Sequence, residues 1–264
     1  MLLGDLSMTD TISAAIQSGS LCPENISFDL IRYFASHDYG SNCWDRLGRG
    51  RAILKTVEEL DQYLHSYGPM TRSQWDILLR EWSFTPEPTQ IIDYGCGQGL
   101  ATALLFDRFG KDLIDSVQKV VLIEPSPIAL ARAAKIVTCY SKSINVVAIN
   151  KTLEEVTAEE LKCEGDVHGA HLFSNVLDID DYEPRELFGK MFQSKTAHSV
   201  LAVSPDRDFE GGTERFRELE KAVKDQKHKD WLTVSGSQIK KWQCQNDKES
   251  ISWIFQAEVK SGPF

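Results

Sequence analysis

Gln90-Ile-Ile-Asp-Tyr-Gly-Cys-Gly-Gln-Gly-Leu-Ala-Thr102 is the stretch that decides the fold. It reads as a buried strand, a glycine-rich turn and the start of a helix. Ile91 and Ile92 supply the buried strand. Gly95, Gly97 and Gly99 let the chain turn sharply and bring backbone up to a ligand that a Cβ would block. The helix that follows offers unpaired N–H groups and the positive end of its dipole. A second strand, Val120-Val-Leu-Ile-Glu124, ends in an acid. An acid at that point can accept both hydroxyls of a ribose, as in other nucleoside-binding doubly wound folds. An ordinary βα turn in some other α/β protein is the plainer reading.

Spacing separates this turn from a dinucleotide site. That fingerprint is G-x-G-x-x-G/A. Counting from Gly95, the sixth position is Leu100, and counting from Gly97 it is Thr102, so neither fits. The pattern present is Asp93-x-Gly95-x-Gly97-x-Gly99, with Glu124 closing the next strand. In this form it resembles the S-adenosylmethionine (SAM) site of class I methyltransferases. The resemblance covers about residues 85–260. It implies an α/β fold, a doubly wound, Rossmann-like sheet of seven strands, with SAM as cofactor and S-adenosylhomocysteine (SAH) as product. Carried onto this chain, the cofactor residues are Asp93, Tyr94, Gly95, Cys96, Gly97, Gln98, Gly99, Glu124 and Pro125.

The rest of the composition bounds the class. A chain of 264 residues can bury a full core in one domain. Its net charge of −10 disfavours broad, non-specific binding to nucleic acid, which draws its affinity from Lys and Arg on phosphates. No apolar run approaches a membrane span. The segment Met1–Asp10 lacks the basic and apolar parts of a signal peptide. The expected location is therefore cytoplasmic, with no membrane partner. Six scattered cysteines contain no C-x-x-C pair, so reduced thiols are expected. Cys163, His168 and His171 lie close in sequence, but no fourth ligand accompanies them, and no metal is expected.

Three regions follow along the chain. Residues 1–20 are small, polar and Ser/Thr-rich and read as a flexible N-terminus. Residues 21–88 read as a helical lid or substrate region, with helices at Phe28–Ala35, Ala52–Tyr67 and Thr71–Trp82. Thr56 with Glu59 fits a capping box, Thr71 suits the cap of the last helix, and Gly68-Pro69 reads as a break between the two. Residues 89–264 alternate strands (90–94, 120–124, 145–149, 170–176, 199–204) with helices (99–109, 126–138, 155–162, 184–194, 213–226), which argues for a parallel sheet. Trp231–Ser235 and Ile251–Val259 read as a closing antiparallel pair, the ending the resemblance implies.

Ligands of doubly wound sheets sit at the carboxyl ends of the strands. Ser126-Pro127 after the second strand reads as a helix cap. After the third strand come Asn150, Thr152 and Leu153, where the family flanks the adenine; Asn150 reads equally as a turn residue. The fourth strand runs His171-Leu-Phe-Ser174-Asn175 and on to Asp178. Polar residues there interrupt an apolar run and need a reason. Ser174 and Asn175 are candidates for the methionine moiety, and Asp178 for a base, with strand capping as the alternative. His171, at the start of the strand, reads as structural. No D/N-P-P-Y/F follows this strand and no cysteine nucleophile stands near it. In the lid, Tyr67 and His65 are further candidates for the base, and Arg72 for the substrate. Arg49 and Arg51 belong to the most basic stretch, Arg46–Lys55, which suits a phosphate or carboxylate or a solvated surface. Tyr63, Tyr67 and Pro69, ahead of a helix leading into the glycine-rich strand, also resemble methyltransferase-like proteins of mitochondrial small-ribosome assembly, whose usual cysteine cluster is missing here.

Two functions remain open. One is methyl transfer from SAM to an O, N or carboxylate acceptor, a small molecule or protein ahead of nucleic acid. The other is a non-catalytic SAM-binding scaffold or sensor with a protein partner.

Overall fold

The computed structural model describes residues 10–177, 179, 182–206, 212–226, 231–244 and 249–260. Four helical elements open the chain: α1 (Thr11–Gln17), α2 (Phe28–Ala35), α3 (Ser41–Arg46) and the long α4 (Val57–Glu81), with a single 3₁₀ turn at Gly48–Gly50. Then come β1 (Thr89–Tyr94), α5 (Leu100–Ser116), β2 (Val117–Ile123), α6 (Pro127–Tyr140), β3 (Asn145–Ile149), α7 (Ala158–Leu161), β4 (His168–Ser174), α8 (Pro184–Met191), β5 (Ala197–Pro205), α9 (Gly212–Gln226), β6 (Leu232–Gln243) and β7 (Glu249–Val259).

The strands form one seven-stranded sheet in the order β3-β2-β1-β4-β5-β7-β6. β1 to β5 pair in parallel, and β7 pairs antiparallel with both β5 and β6. All six residues of β1 are buried, as a central strand covered on both faces requires. Alternate residues feed two cores. Ile91, Val120, Leu122 and Leu172 meet α1, α2, α4, α5 and α6 on one face. Ile92, Val121, Phe173 and Val200 meet α7, α8 and α9 on the other. Strand order reverses between β1 and β4, and the crevice at such a switch point is where a ligand fits.

Several boundaries differ from the sequence expectation. Residues 10–20 carry α1, with Asp10 as its N-cap and Ile12 fully buried. Gly68-Pro69 does not break the lid, because α4 runs unbroken through Pro69. Thr71 is no cap; its hydroxyl donates to Tyr67 O one turn back, at 3.1 Å. An interior proline costs a helix about 3 kcal/mol. Leu60, Leu64, Trp75, Leu78 and Leu79 form one buried stripe across both halves, and burial of that stripe outweighs the cost. The capping box of Thr56 and Glu59 is present, so the helix starts there and not at Ala52. β6 extends to Gln243, well past Ser235, because each of its residues from Gln238 finds a partner on β7.

Candidate active site

The glycine turn joins β1 to α5. Cys96 N–H donates to Ile123 O at 2.9 Å, and Gly99 N–H donates to Cys96 O at 2.8 Å, which closes the turn. Gly97 has φ +52, and a Cβ built there meets nothing within 4 Å, so its missing side chain leaves open space on the cleft floor. At Gly99, φ is +76 and an added Cβ would lie 3.1 Å from Ala133 Cβ, so that glycine lets α5 pack on α6. Asp93 braces the turn from beneath. It is fully buried, accepts a 2.8 Å bond from the Thr102 hydroxyl, and burial pushes its carboxyl up to about 7.

Glu124 is held at both carboxylate oxygens. Gly97 N–H donates to Oε2 and Ser126 N–H donates to Oε1, each at 2.9 Å. Burial raises its pKa, and these two bonds pull the other way. Each oxygen keeps a lone pair for a further donor, such as a ribose hydroxyl. Asn150 donates through Nδ2 to Glu124 O and Pro125 O, both at 2.9 Å, which fixes the turn carrying the acid. Ser126 caps α6 at Ala129 N–H and also donates its hydroxyl to Leu54 O at 2.6 Å.

These elements wall a cleft enclosing about 940 Å³ of empty space, including the part open to solvent. Gly95, Gly97, Gln98, Glu124 and Pro125 line it from the first two strand ends, and Thr152, Leu153, Ser174 and Asn175 from the third and fourth. Asp93, Tyr94, Cys96, Gly99 and Asn150 stand behind that lining and shape it. The lid contributes Gly50–Leu54 and Tyr63, and the far wall Val176, Ile179 and Tyr182. Sequence reasoning missed all of these except Arg51. Tyr63 stands one turn of α4 before Tyr67, and that spacing was the available signal.

A smaller recess, about 270 Å³ including the part open to solvent, shares Gly50, Arg51, Tyr63 and Asn175 with the cleft and adds Arg49, Tyr67 and Met70. The rings of Tyr63 and Tyr67 lie 5.0 Å apart. Asn175 stands at the junction of the two spaces. Its φ of +58 is rare for a residue with a side chain. Its N–H donates to Val203 O at 2.7 Å. Its Oδ1 is buried without a hydrogen-bond partner among the described residues. The neighbouring Ser174 hydroxyl accepts from Trp75 Nε1 at 2.9 Å, which fastens the lid helix to the end of β4.

His65 and Arg72 line neither space. His65 is exposed. Arg72 pairs with Asp29 at 3.1 Å and Asp76 at 3.0 Å and lies over the Phe28 ring. Asp178 lies outside the described residues. Tyr94 points into the core, where its hydroxyl bonds His171 Nδ1 at 2.9 Å, and His171 Nε2 bonds His198 Nδ1 at 2.9 Å. His198 Nε2 faces Ser194 O at 3.2 Å, an acceptor only, so each ring donates from Nε2 and the Tyr94 hydroxyl donates to His171. Burial lowers the pKa of both histidines, that of His198 to about 4. Among the described residues no group of three or more His, Cys, Asp or Glu is arranged to hold a metal. No helix among them is long and apolar enough to cross a membrane.

No protein-family model and no curated protein matches the chain. Solved structures do. A Listeria monocytogenes structure assigned to the class I SAM-dependent methyltransferases aligns over 96% of this chain and 76% of its own, with TM-score 0.50 and 15% identity. M. jannaschii TYW2, solved in complex with AdoMet, aligns over 76% of this chain and 80% of its own, with TM-score 0.49 and 12% identity. The mitomycin 7-O-methyltransferase MmcR aligns over 94% and 66% with TM-score 0.46 and 13% identity. With its strand order, its reversed seventh strand and this likeness, the chain has the fold of the class I SAM-dependent methyltransferases.

Proposed function

We propose that this chain binds SAM in the cleft and transfers its methyl group to an O, N or carboxylate acceptor, a small molecule or protein side chain seated in the recess beside Asn175. The observation that carries the reading is Glu124. Its carboxylate is aimed by two backbone N–H groups, one of them from the glycine turn, while Gly97 leaves the floor beneath it open. These residues fit a nucleoside: the acid suits ribose hydroxyls, and Pro125, Thr152 and Leu153 offer a largely apolar slot for an adenine.

Bound SAM supplies a reactive sulfonium methyl, so the protein's task is to orient and desolvate the acceptor. Asn175 suits that task. Its unpartnered Oδ1 can accept a hydrogen from an N–H or O–H nucleophile at the point where cleft and recess meet. The αL backbone is strain of the kind that functional positions retain. Tyr63 and Tyr67 are the side chains with a titratable proton that face the recess among its described lining residues, alongside Arg49 and Arg51.

That last feature favours a second reading, a scaffold or sensor that binds SAM without turnover. The described recess offers no carboxylate, imidazole or amine as a base. Calorimetric titration with SAM and SAH, followed by assay of SAH release with candidate acceptors, separates the two. Binding with turnover supports the enzyme, binding without turnover over a broad acceptor panel supports the sensor, and failure to bind either nucleoside sinks both.

A further inference from the structure

Arg132 is the one charged residue of α6 that is wholly inaccessible to solvent among those described. Its guanidinium gathers three segments that are remote in sequence. Nη1 donates to Asp61 Oδ1 of α4 at 2.7 Å and to Gln98 Oε1 of the glycine turn at 2.8 Å. Nη2 donates to Asp10 Oδ1 at 2.8 Å, and Asp10 is the N-cap of α1. Asp10 and Asp61 are themselves buried. Gln98 uses its other end as well: Nε2 donates to Leu60 O at 2.9 Å.

Gln98 sits between Gly97, whose N–H aims Glu124, and Gly99, which caps α5. A buried cation with two carboxylates is costly to desolvate and adds little net stability over a neutral replacement. What it does impose is geometry, because the two terminal nitrogens of the planar guanidinium donate to three segments remote in sequence. Gln98 cannot shift without breaking either the Arg132 bond or the Leu60 bond. The path from Asp10 and Asp61 through Arg132 and Gln98 therefore ends one residue from the N–H that aims the ribose acid.

We infer that Arg132 is a positioning residue of the cofactor turn, and that the segment from Asp10 through α1, far from the cleft in sequence, belongs to the same device. The inference rests on the SAM reading, and the experiment separates the two. Wild-type protein is first titrated calorimetrically with SAH. Absence of binding overturns the cofactor reading and this inference with it.

With wild-type binding in hand, the triple variant Asp10→Asn, Asp61→Asn, Arg132→Met is compared. It removes the cation and both anions together, so no unpaired charge stays buried, and Gln98 loses its Arg132 donor along with the side chains at 10 and 61. The expected result is a folded protein whose Kd for SAH rises at least fivefold. A folded variant with a smaller rise overturns the inference. Hydrogen exchange on the wild type covers the case in which the variant does not fold. SAH is expected to slow exchange across residues 11–17 as well as 95–99, because a ligand protects those segments whose opening destroys its site. Unchanged exchange across 11–17 on SAH binding overturns the inference.

Discussion

Glu124→Gln is ordinarily a mild change, and here it should not be. Both carboxylate oxygens accept backbone N–H groups, from Gly97 and from Ser126, at 2.9 Å. A glutamine offers one oxygen and one NH₂, so whichever way it turns, its NH₂ meets an N–H. A buried donor left unpaired costs about 1–3 kcal/mol, and hydrogen bonds to a charged group contribute about 1.5–3 kcal/mol each. The side chain would swing away, the aim of the turn would relax, and the charge that receives ribose hydroxyls would be gone. The expected loss of SAH affinity is at least about 1.5 kcal/mol, roughly tenfold in Kd. Glu124→Ala should lose at least as much. The assay is calorimetry at one fixed pH for wild type and variants, because burial raises the carboxyl pKa and the charge compared must be the same throughout. Thermal unfolding of each variant alone keeps lost binding apart from lost folding. If Glu124→Gln binds SAH within twofold of wild type, the two-point clamp does not govern the ribose site and the reasoning fails.

Gly97→Val should fold, since its Cβ has free space, but with SAH binding lost because the methyls fill the cleft floor. Its φ of +52 adds about 1–2 kcal/mol of strain, visible as a lower Tm; tight SAH binding by the variant would show that the turn is not the cradle. Asn175→Gly should be at least as stable as wild type, because glycine accepts φ +58, while Asn175→Ala should be less stable by about 1 kcal/mol. The reverse order in chemical denaturation would remove the strain argument. At pH 7 His198 is neutral when folded and mostly neutral when unfolded, and its contribution is nearly complete. As pH falls from the ordinary 6.5 to about 4, the unfolded chain takes up a proton that the folded chain refuses, so stability is lost, by about 3 kcal/mol in all. Asp93, held up to about 7, works in the opposite sense over an overlapping window, since the folded state keeps a proton that the unfolded state releases. Comparing wild type with His198→Asn cancels Asp93; their stability difference should shrink toward about pH 4, and a difference flat with pH would contradict a neutral buried relay.

The fold and the glycine turn that floors the candidate cleft were legible in the chain because they depend on local rules. Strand-turn-helix order, the Asp93-to-Gly99 spacing and an acid at the end of the next apolar strand are all short-range signals, and the candidate residues at the strand ends follow from the parallel topology. Other properties depend on partners that are distant in sequence. Pro69 reads as a break until the buried stripe of α4 outweighs it. Asn150 reads as an adenine ligand or a turn, and its two bonds to the carbonyls of Glu124 and Pro125 give it the turn's work. Tyr94 sits inside the motif yet turns away from the cleft to His171, since side chains of one strand alternate between faces. Arg132 carries no motif at all. Only folding brings Asp10, Asp61 and Gln98 to the guanidinium of an otherwise unremarked helical arginine. Sheet and turn follow from the chain's local pattern, because backbone conformation and burial period are set residue by residue. Tertiary structure alone decided which side chains face the cleft and which charges meet, because those depend on distances that no local pattern encodes.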